Sequence, residues 1–276
     1  MKYILYNPLS NNKRGEITLN EVKEKIKGKY ECINVISLDA KAFMQSLASK
    51  DDVILVGGDG TLNHFINDID LDDIHNDIYV YRAGTGNDFL NDIEAKEDFT
   101  LINKYLVNLP KVTVNGMTKR FINGIGFGID GYCTMEGDRQ KAKSKRKINY
   151  TTIALKGFLY GYKRVNAIVN IDGIVNKYEN VWLAPSMKGR YYGGGMMVAP
   201  YQDRNDGFLT SVVCFCKSKI KTLAIFPSVF KGKHAKHDKN VRMTKGKKIE
   251  VTFDKPCALQ IDGETVLDVL SYKVEV

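Results

Sequence analysis

Residues Val53 to Asp68 read VILVGGDGTLNHFIND, and this stretch decides the fold of the first half of the chain. The apolar run 53–56 is short, continuous and stopped by glycines, which is typical of a buried strand in a parallel sheet. The glycines let the backbone turn and approach a bulky group closely, and Thr61 begins a segment with helical character. Since free N–H groups at a helix N-terminus favour an anion, we expect a polyphosphate and its metal ion after this strand.

The sequence around this stretch alternates strand and helix patterns at the spacing of βα units. Strand patterns lie at 3–6, 31–37 and 78–81, and helical patterns lie at 17–26, 41–49 and 62–69. This alternation predicts a doubly wound α/β domain, in which ligands bind outside the carboxyl ends of the strands.

After about Val112 the pattern changes to short strand-like runs separated by turns, which predicts an all-β sandwich. Two of these runs, 248–253 and 258–261, are expected to be separate strands. We therefore expect a nucleotide-binding domain at 1–115 and a substrate domain at 116–265, with a tail at 266–276 that could return to the first domain. The β-rich half leaves an edge strand that could pair in a homodimer.

Composition narrows the class of partner. The net charge of +9 favours contact with phosphates, lipid headgroups or nucleic acid. Nucleic acid is disfavoured, because no binding module accompanies the basic residues. The five scattered cysteines and the absence of a signal pattern in MKYILYNPLS favour a cytoplasmic protein. Basic runs at 139–147 and 231–248 favour peripheral contact with a membrane surface, and the segment 150–162 between them is either a lipid-facing helix or a cap on the sandwich.

Three loops at predicted strand ends offer groups that suit phosphate and metal binding: 7–12, 57–61 and 84–88. The familiar nucleotide signatures do not fit. No Gly-Lys pair has the spacing of a P-loop, and GFGIDG at 126–131 matches the dinucleotide pattern by letter only, because the charged residues after it do not predict a helix. His234 and His237 are expected to lie in a solvated loop rather than at a metal.

The GGDGT motif at 57–61 resembles the signature shared by diacylglycerol-type lipid kinases, sphingosine kinases and NAD kinases. Further motifs resemble the lipid-kinase branch in order along nearly the whole chain. They are Asn7-Pro8, GTGNDF at 84–89, FINGIGFG at 121–128, GGGM at 193–196, NDGFL at 205–209 and DGE at 262–264. The resemblance implies a phosphofructokinase-like α/β domain, a C-terminal β-sandwich, and the use of ATP and magnesium.

The resemblance also implies roles for individual residues. Asp59 would hold magnesium or its water, Glu264 would be the general base, and Asp262 would be a metal ligand or an orienting partner. The nucleotide pocket would be formed by Asn7, Gly57, Gly58, Gly60, Thr61, Asn63, Gly84, Thr85, Asn87 and Asp88. A structural magnesium would be held by the side chain of Asp206 and by backbone carbonyls at Asp203 and Phe208.

The sequence departs from the family pattern at His64 and Asn11, where a glutamate and a glycine are usual, and Thr113 stands where some bacterial relatives have an aspartate. The leading hypothesis is a lipid kinase that phosphorylates a lipid alcohol, with diacylglycerol as the first candidate. An NAD kinase and a catalytically silent nucleotide-binding protein remain as alternatives. Retention of the carboxylates in GGDGT and DGE argues against the silent protein, since a sensor could dispense with the base.

Overall fold

A computed structural model describes residues 1–10, 14–83, 87–143 and 148–276. These residues form two compact units, Met1–Leu109 and Pro110–Val276. The sequence placed the boundary after residue 115, whereas in the structure the strands β6 (Lys111–Val114) and β7 (Met117–Arg120) both belong to the sheet of the second unit.

The described part of the first unit contains a five-stranded sheet in the order β2-β1-β3-β4-β5. Neighbours among the first four strands run parallel, and β5 is antiparallel to β4. The strands are β1 (Lys2–Tyr6), β2 (Tyr30–Asn34), β3 (Asp52–Gly57), β4 (Asp77–Arg82) and β5 (Phe99–Leu101). The α/β class predicted for this unit is confirmed. The apolar run of β3 is fully buried, as its continuous hydrophobicity requires.

Helices follow the strands of this unit. They are α1 (Gly15–Lys25), α2 (Ala40–Ser46), α3 (Asp59–Asp68), α4 (Asp88–Asp92) and α5 (Asn103–Leu106). Leu19 and Val22 of α1 pack against Ile4 and Ile54 of the sheet. The segment predicted as a strand at 31–37 ends earlier, because residues Val35–Ser37 form a 3-10 turn capped by the preceding asparagine.

The second unit is dominated by one large sheet, so its predicted all-β class is confirmed. The strands after β7 are β8 (Gly124–Phe127), β9 (Val165–Ile171), β10 (Ile174–Leu183), β11 (Ser186–Met187), β12 (Tyr191–Tyr192), β13 (Met196–Met197), β14 (Leu209–Phe215), β15 (Val241–Gly246), β16 (Lys248–Ile261) and β17 (Glu264–Glu275). Strand β16 pairs with β17, β8 and β9, so the sheet closes on itself around a core in which Phe127 stacks on Phe253 at 3.8 Å.

Two expectations about this sheet differ from the structure. The two strands expected at 248–253 and 258–261 are one strand, β16, because its pairing with β17 continues across a register shift between Thr252 and Cys257. The tail 266–276 lies in the second unit, since all but its last residue belongs to β17, which pairs with β16 and β6.

The helical segments of the second unit are α6 (Ile129–Lys143), α7 (Tyr150–Lys156) with a π turn at Gly157–Gly161, and α8 (Lys219–Ile225) followed by 3-10 turns at Phe226–Lys231 and Lys233–Lys236. The expectation that no helix follows GFGIDG was wrong. Helix α6 packs closely through glycine rather than through an apolar stripe, since a Cβ at Gly131 would lie 1.9 Å from the carbonyl oxygen of Ala258.

Across the described ranges, no helix has the length and apolar character needed to cross a bilayer.

Candidate active site

The loop after β3 is shaped by its glycines. A Cβ at Gly57 would lie 2.2 Å from Oγ1 of Thr61, so Gly57 lets the Thr61 side chain fold back over the strand end. Gly58 is the N-cap of α3 and lies close to the end of β4, since its Cβ would be 3.3 Å from the carbonyl oxygen of Ala83. The two strand ends are therefore held side by side at the carboxyl edge of the sheet.

The N-terminus of α3 is open at Gly60. A Cβ at Gly60 would meet no described atom within 4 Å, and its backbone is helical rather than left-handed. No described contact in this unit therefore requires glycine here, although glycine in a helix costs about 0.5–1 kcal/mol relative to alanine. The N-cap Gly58 has no side chain with which to cap the helix, so the first turn presents backbone donors. The arrangement suits an anion that approaches the backbone directly.

Asp59 joins the loop after β3 to the loop after β4. Its Oδ2 accepts the N–H of Asp88 at 2.8 Å, and its Oδ1 accepts the N–H of Phe89 at 2.9 Å. These are the first N–H groups of α4, so Asp59 caps that helix from another loop. Asn87 precedes them in the left-handed region, with φ +53°. The structure thus gives Asp59 a positioning role that the sequence did not predict.

The remaining predicted nucleotide residues fall into three groups. Asn7 follows β1 beside Gly57, because Tyr6 pairs with Val56, and its Oδ1 accepts the N–H of Leu9 at 2.9 Å. Asn63 is buried in α3, and Asp88 is buried at the start of α4. The predicted residues Gly84 and Thr85, together with Asn11, lie outside the described residues.

Asp262 lies in the second unit within a nest of backbone donors. Its carboxylate accepts the N–H groups of Ile122, Asn123 and Gly124 at 2.6, 2.9 and 2.9 Å. Asp262 and Gly263 have φ values of +45° and +95° and form the two-residue turn between β16 and β17. The turn directs the buried carboxylate inward, where it fixes the segment 122–124.

Glu264 begins β17 directly after this turn. Its Oε2 lies 2.7 Å from Nζ of Lys119 on β7, and about a quarter of the Glu264 side chain is exposed (26%). The ion pair therefore fixes a carboxylate that solvent can reach. The sequence predicted that Asp262 and Glu264 converge, and the described contacts bring both to the segment 119–124.

The predicted structural-metal residues are engaged with protein groups. Nε2 of Gln202 donates to the carbonyl oxygens of Asp203 and Phe208 at 2.8 and 3.0 Å. Oδ2 of Asp206 lies 2.5 Å from Nζ of Lys245. Among the described residues, no group of three His, Cys, Asp or Glu side chains could hold a metal ion. Protein donors therefore contact all three groups to which the resemblance assigned a structural magnesium.

A second buried carboxyl group lies in the GFGIDG segment. Asp130 accepts a hydrogen bond from Tyr192 Oη at 2.8 Å. Burial raises the pKa of Asp130 to about 6, although this hydrogen bond opposes the shift. A Cβ at Gly126 would collide with the Asp130 carboxylate, so these glycines serve internal packing rather than phosphate binding.

His234 is also buried, contrary to the expected solvated loop, with Nε2 2.9 Å from the carbonyl oxygen of Val198.

Sequence reasoning missed the cations and the amide that surround the predicted carboxylates. They are Lys119, Arg204 and Lys245, together with Gln202. No motif marks Lys119, because its contact with Glu264 joins side chains 145 positions apart in the sequence and exists only in the folded unit. Arg204 and Gln202 lie beside the NDGFL motif, but their partners depend on the folded loop.

Two family models match the chain. Residues 2–115 match the "Diacylglycerol kinase catalytic domain", and residues 123–275 match the "YegS C-terminal NAD kinase beta sandwich-like domain". The chain is 27% identical over 274 residues to a diacylglycerol kinase of Staphylococcus aureus (strain MRSA252), an alignment that covers 95% of this chain and 85% of the relative. It is 26% identical over 230 residues to a diacylglycerol kinase of Mycobacterium tuberculosis (strain CDC 1551 / Oshkosh), covering 77% and 71%.

The fold has close counterparts among solved structures. A crystal structure of a diacylglycerol kinase from Bacillus anthracis str. Sterne aligns with a TM-score of 0.68 and 21% identity, and the alignment covers 99% of this chain and 93% of that chain. A further structure from the same organism aligns with a TM-score of 0.70 and 19% identity over the same shares. Because the sequence identity to these structures is low, the structural similarity establishes the fold of this chain and nothing further.

Proposed function

Because the chain belongs to the diacylglycerol kinase catalytic-domain family and is a kinase, we propose that it transfers the γ-phosphate of ATP to the hydroxyl group of a lipid. Diacylglycerol is the leading acceptor, and phosphatidic acid would be the product. The proposal rests on the family and on the relatives named diacylglycerol kinase. The observation in the structure that carries it is the open N-terminus of α3 over Gly60.

The first unit would bind the nucleotide. Gly57, Gly58, Gly60 and Thr61 would line the triphosphate, since backbone donors at a helix N-terminus stabilise phosphate oxygens. Asp59 is the acidic residue in the first turn of α3. A carboxylate oxygen can accept more than one bond, so Asp59 could contact Mg²⁺ or its water while it caps α4. When bound, magnesium would neutralise charge on the transferring phosphate.

The second unit would supply the group that acts on the acceptor. Glu264 would take the proton from the lipid hydroxyl, a role that contributes about 10² to 10⁴ in rate. Lys119 fixes the Glu264 carboxylate before the substrate binds, which reduces the entropy lost on reaching the reactive geometry. Asp262 would act as the orienting partner, because it holds the backbone of residues 122–124 through three N–H donors.

A surface of the second unit suits a bilayer that carries the lipid substrate. We define the apolar face as Leu155, Leu159, Tyr160, Ile220 and Phe230, which are all exposed although large and hydrophobic. The π turn after α7 and the start of α8 are linked, because Lys219 Nζ donates to the carbonyl oxygen of Leu159 at 2.8 Å. The buried side of the same segment packs on the sheet, since Phe158 contacts Trp182 and Phe226.

Exposed lysines accompany the apolar face, including Lys156, Lys219, Lys221 and Lys231. Each lysine near an anionic membrane adds about 1 kcal/mol of attraction. We infer that segment 150–162 would serve both roles that the sequence left open, because its buried side caps the sheet and its exposed side is apolar enough to face lipid. We propose peripheral contact with an anionic membrane through the apolar face.

Transfer of labelled γ-phosphate tests the function. The wild type and Glu264→Ala are incubated with ATP and Mg²⁺, in parallel with micellar diacylglycerol, other lipid alcohols and NAD. Label in an organic-extractable lipid that disappears in the variant supports the lipid kinase and identifies its acceptor. Label in NADP would assign the NAD kinase instead.

A further inference from the structure

The loop Asp203–Phe208, called the 203–208 loop below, is the place where the resemblance put a structural magnesium. The implied ligands are the Asp206 carboxylate and the carbonyl oxygens of Asp203 and Phe208. Gln202 Nε2 donates to both carbonyl oxygens, at 2.8 and 3.0 Å. One amide group thus links the two ends of the loop, which is the task that a shared metal ion would perform.

The orientation of the Gln202 amide is fixed by its other end. Oε1 of Gln202 accepts the hydroxyl of Thr210 at 2.5 Å, so the nitrogen must point to the carbonyl oxygens. Gln202 is 5% exposed and Thr210 is 4% exposed. Because a buried donor or acceptor that loses its partner keeps the full cost of its desolvation, this satisfied network resists rearrangement.

The charges around the loop also oppose a divalent cation. Asp206 Oδ1 accepts the N–H of Phe208 at 2.9 Å, and its Oδ2 pairs with Lys245. Buried Lys188 lies close enough to interact with Asp203, Asp206 and Arg204. Burial, followed by the charge of Arg204, lowers the pKa of Lys188, and both aspartates oppose this shift. Two lysines, Lys188 and Lys245, therefore already balance the charge of the two aspartates.

We propose that the 203–208 loop is held by Gln202 and Lys245 in place of a metal ion, so that its fold is independent of magnesium. The Lys245 ammonium supplies the positive charge next to Asp206, and the Gln202 amide supplies the donors for the two carbonyl oxygens. A metal at this position would displace both groups and leave the buried amide nitrogen without an acceptor.

This arrangement bears on the proposed acceptor site through Arg204. The Arg204 guanidinium donates to the carbonyl oxygen of Ile122, and it also donates to Asn123 Oδ1 at 3.2 Å. The N–H groups of Ile122 and Asn123 are donors to Asp262. A loop held by protein groups keeps Arg204 in place when free magnesium falls.

Thermal unfolding without nucleotide tests the proposal. The unfolding midpoint is compared in EDTA and in millimolar Mg²⁺ for the wild type and for Asp206→Asn. We expect the same magnesium response in both proteins. A magnesium-dependent rise in the wild type that Asp206→Asn abolishes would overturn the proposal.

Gln202→Glu provides an independent arm. The new carboxylate replaces the donor with an oxygen that faces two carbonyl oxygens, and oxygens in this arrangement are ligands that magnesium binds. In EDTA we expect a midpoint about 4–8 °C below that of the wild type, with recovery of about 3–6 °C in Mg²⁺. The control Gln140→Glu adds the same charge on the exposed side of α6 and should respond like the wild type. A Gln202→Glu protein that magnesium does not stabilise would contradict the assigned role of the amide.

Discussion

Replacement of Gly60 by alanine separates the stability of α3 from its proposed binding of phosphate. The added Cβ meets no described atom within 4 Å, and the backbone at Gly60 is helical. Alanine should therefore raise the free energy of unfolding by about 0.5–1 kcal/mol. The same methyl group would occupy the space above the first turn and weaken ATP binding. An overpacking cost of about 1–3 kcal/mol corresponds to a loss of affinity of roughly 5- to 150-fold.

The assays for Gly60→Ala are urea unfolding and calorimetric titration with Mg-ATP. The control Asp68→Ala changes an exposed residue at the other end of α3, so it should stabilise the helix without altering ATP affinity. Wild-type ATP affinity in Gly60→Ala would refute the placement of the triphosphate. A destabilised Gly60→Ala protein would refute the conclusion that the space is open.

Three further changes test other parts of the account. Asp262→Asn should lower the free energy of unfolding by about 2–3 kcal/mol in urea, because it removes charge-assisted bonds to three N–H groups, whereas exposed Asp268→Asn, at a similar positive φ, should change it little. Burial raises the pKa of Asp130 to about 6, so the folded protein binds a proton at this residue more tightly than the unfolded chain does. The protonated carboxyl group adds to the free energy of unfolding fully below about pH 4, and this stabilisation of up to about 3 kcal/mol is lost as the pH rises through 6. Asp130→Asn should flatten this fall in urea unfolding measured from pH 4 to pH 7, and an unchanged slope would contradict the assignment. Tyr160→Ser with Ile220→Ser, at residues 85% and 83% exposed, should weaken binding to anionic vesicles by about 10- to 100-fold in sedimentation while leaving the unfolding midpoint unchanged. If the double variant bound vesicles as tightly as the wild type, the apolar face would not be the membrane-binding surface.

The sequence predicted the parts of the fold that depend on local pattern. The run 53–56 was predicted as a buried strand because it is apolar on both faces, and the strand ends at Gly57 as the glycines indicated. Strand β17 could not be predicted, because its apolar and polar residues alternate only weakly along the sequence. Its stability comes from pairing with β16 and with β6, which is distant in sequence, and so depends on the fold. Helix α6 was missed for a related reason, since it packs through small residues such as Gly131 and not through an apolar stripe.

In the candidate site, too, the sequence predicted some features and missed those that depend on the fold. Motif residues such as Asp59 and Asp262 were identified by resemblance, but their contacts depend on loops that meet only in the folded units. Asp59 caps α4, and Asp262 fixes the backbone of residues 122–124. The network of Gln202 and Lys245 was invisible in the sequence, because glutamine and lysine carry no pattern that distinguishes a metal substitute from a surface residue.

In the proposed mechanism the first unit binds ATP and Glu264 of the second unit acts on the lipid hydroxyl. The most direct test measures kcat for diacylglycerol phosphorylation and the Kd for Mg-ATP in the wild type and in Glu264→Gln. We expect kcat to fall by about 10² to 10⁴ while the Kd for ATP stays unchanged. A Glu264→Gln enzyme that keeps its kcat, or that loses ATP affinity instead, would contradict the assignment of the catalytic carboxylate.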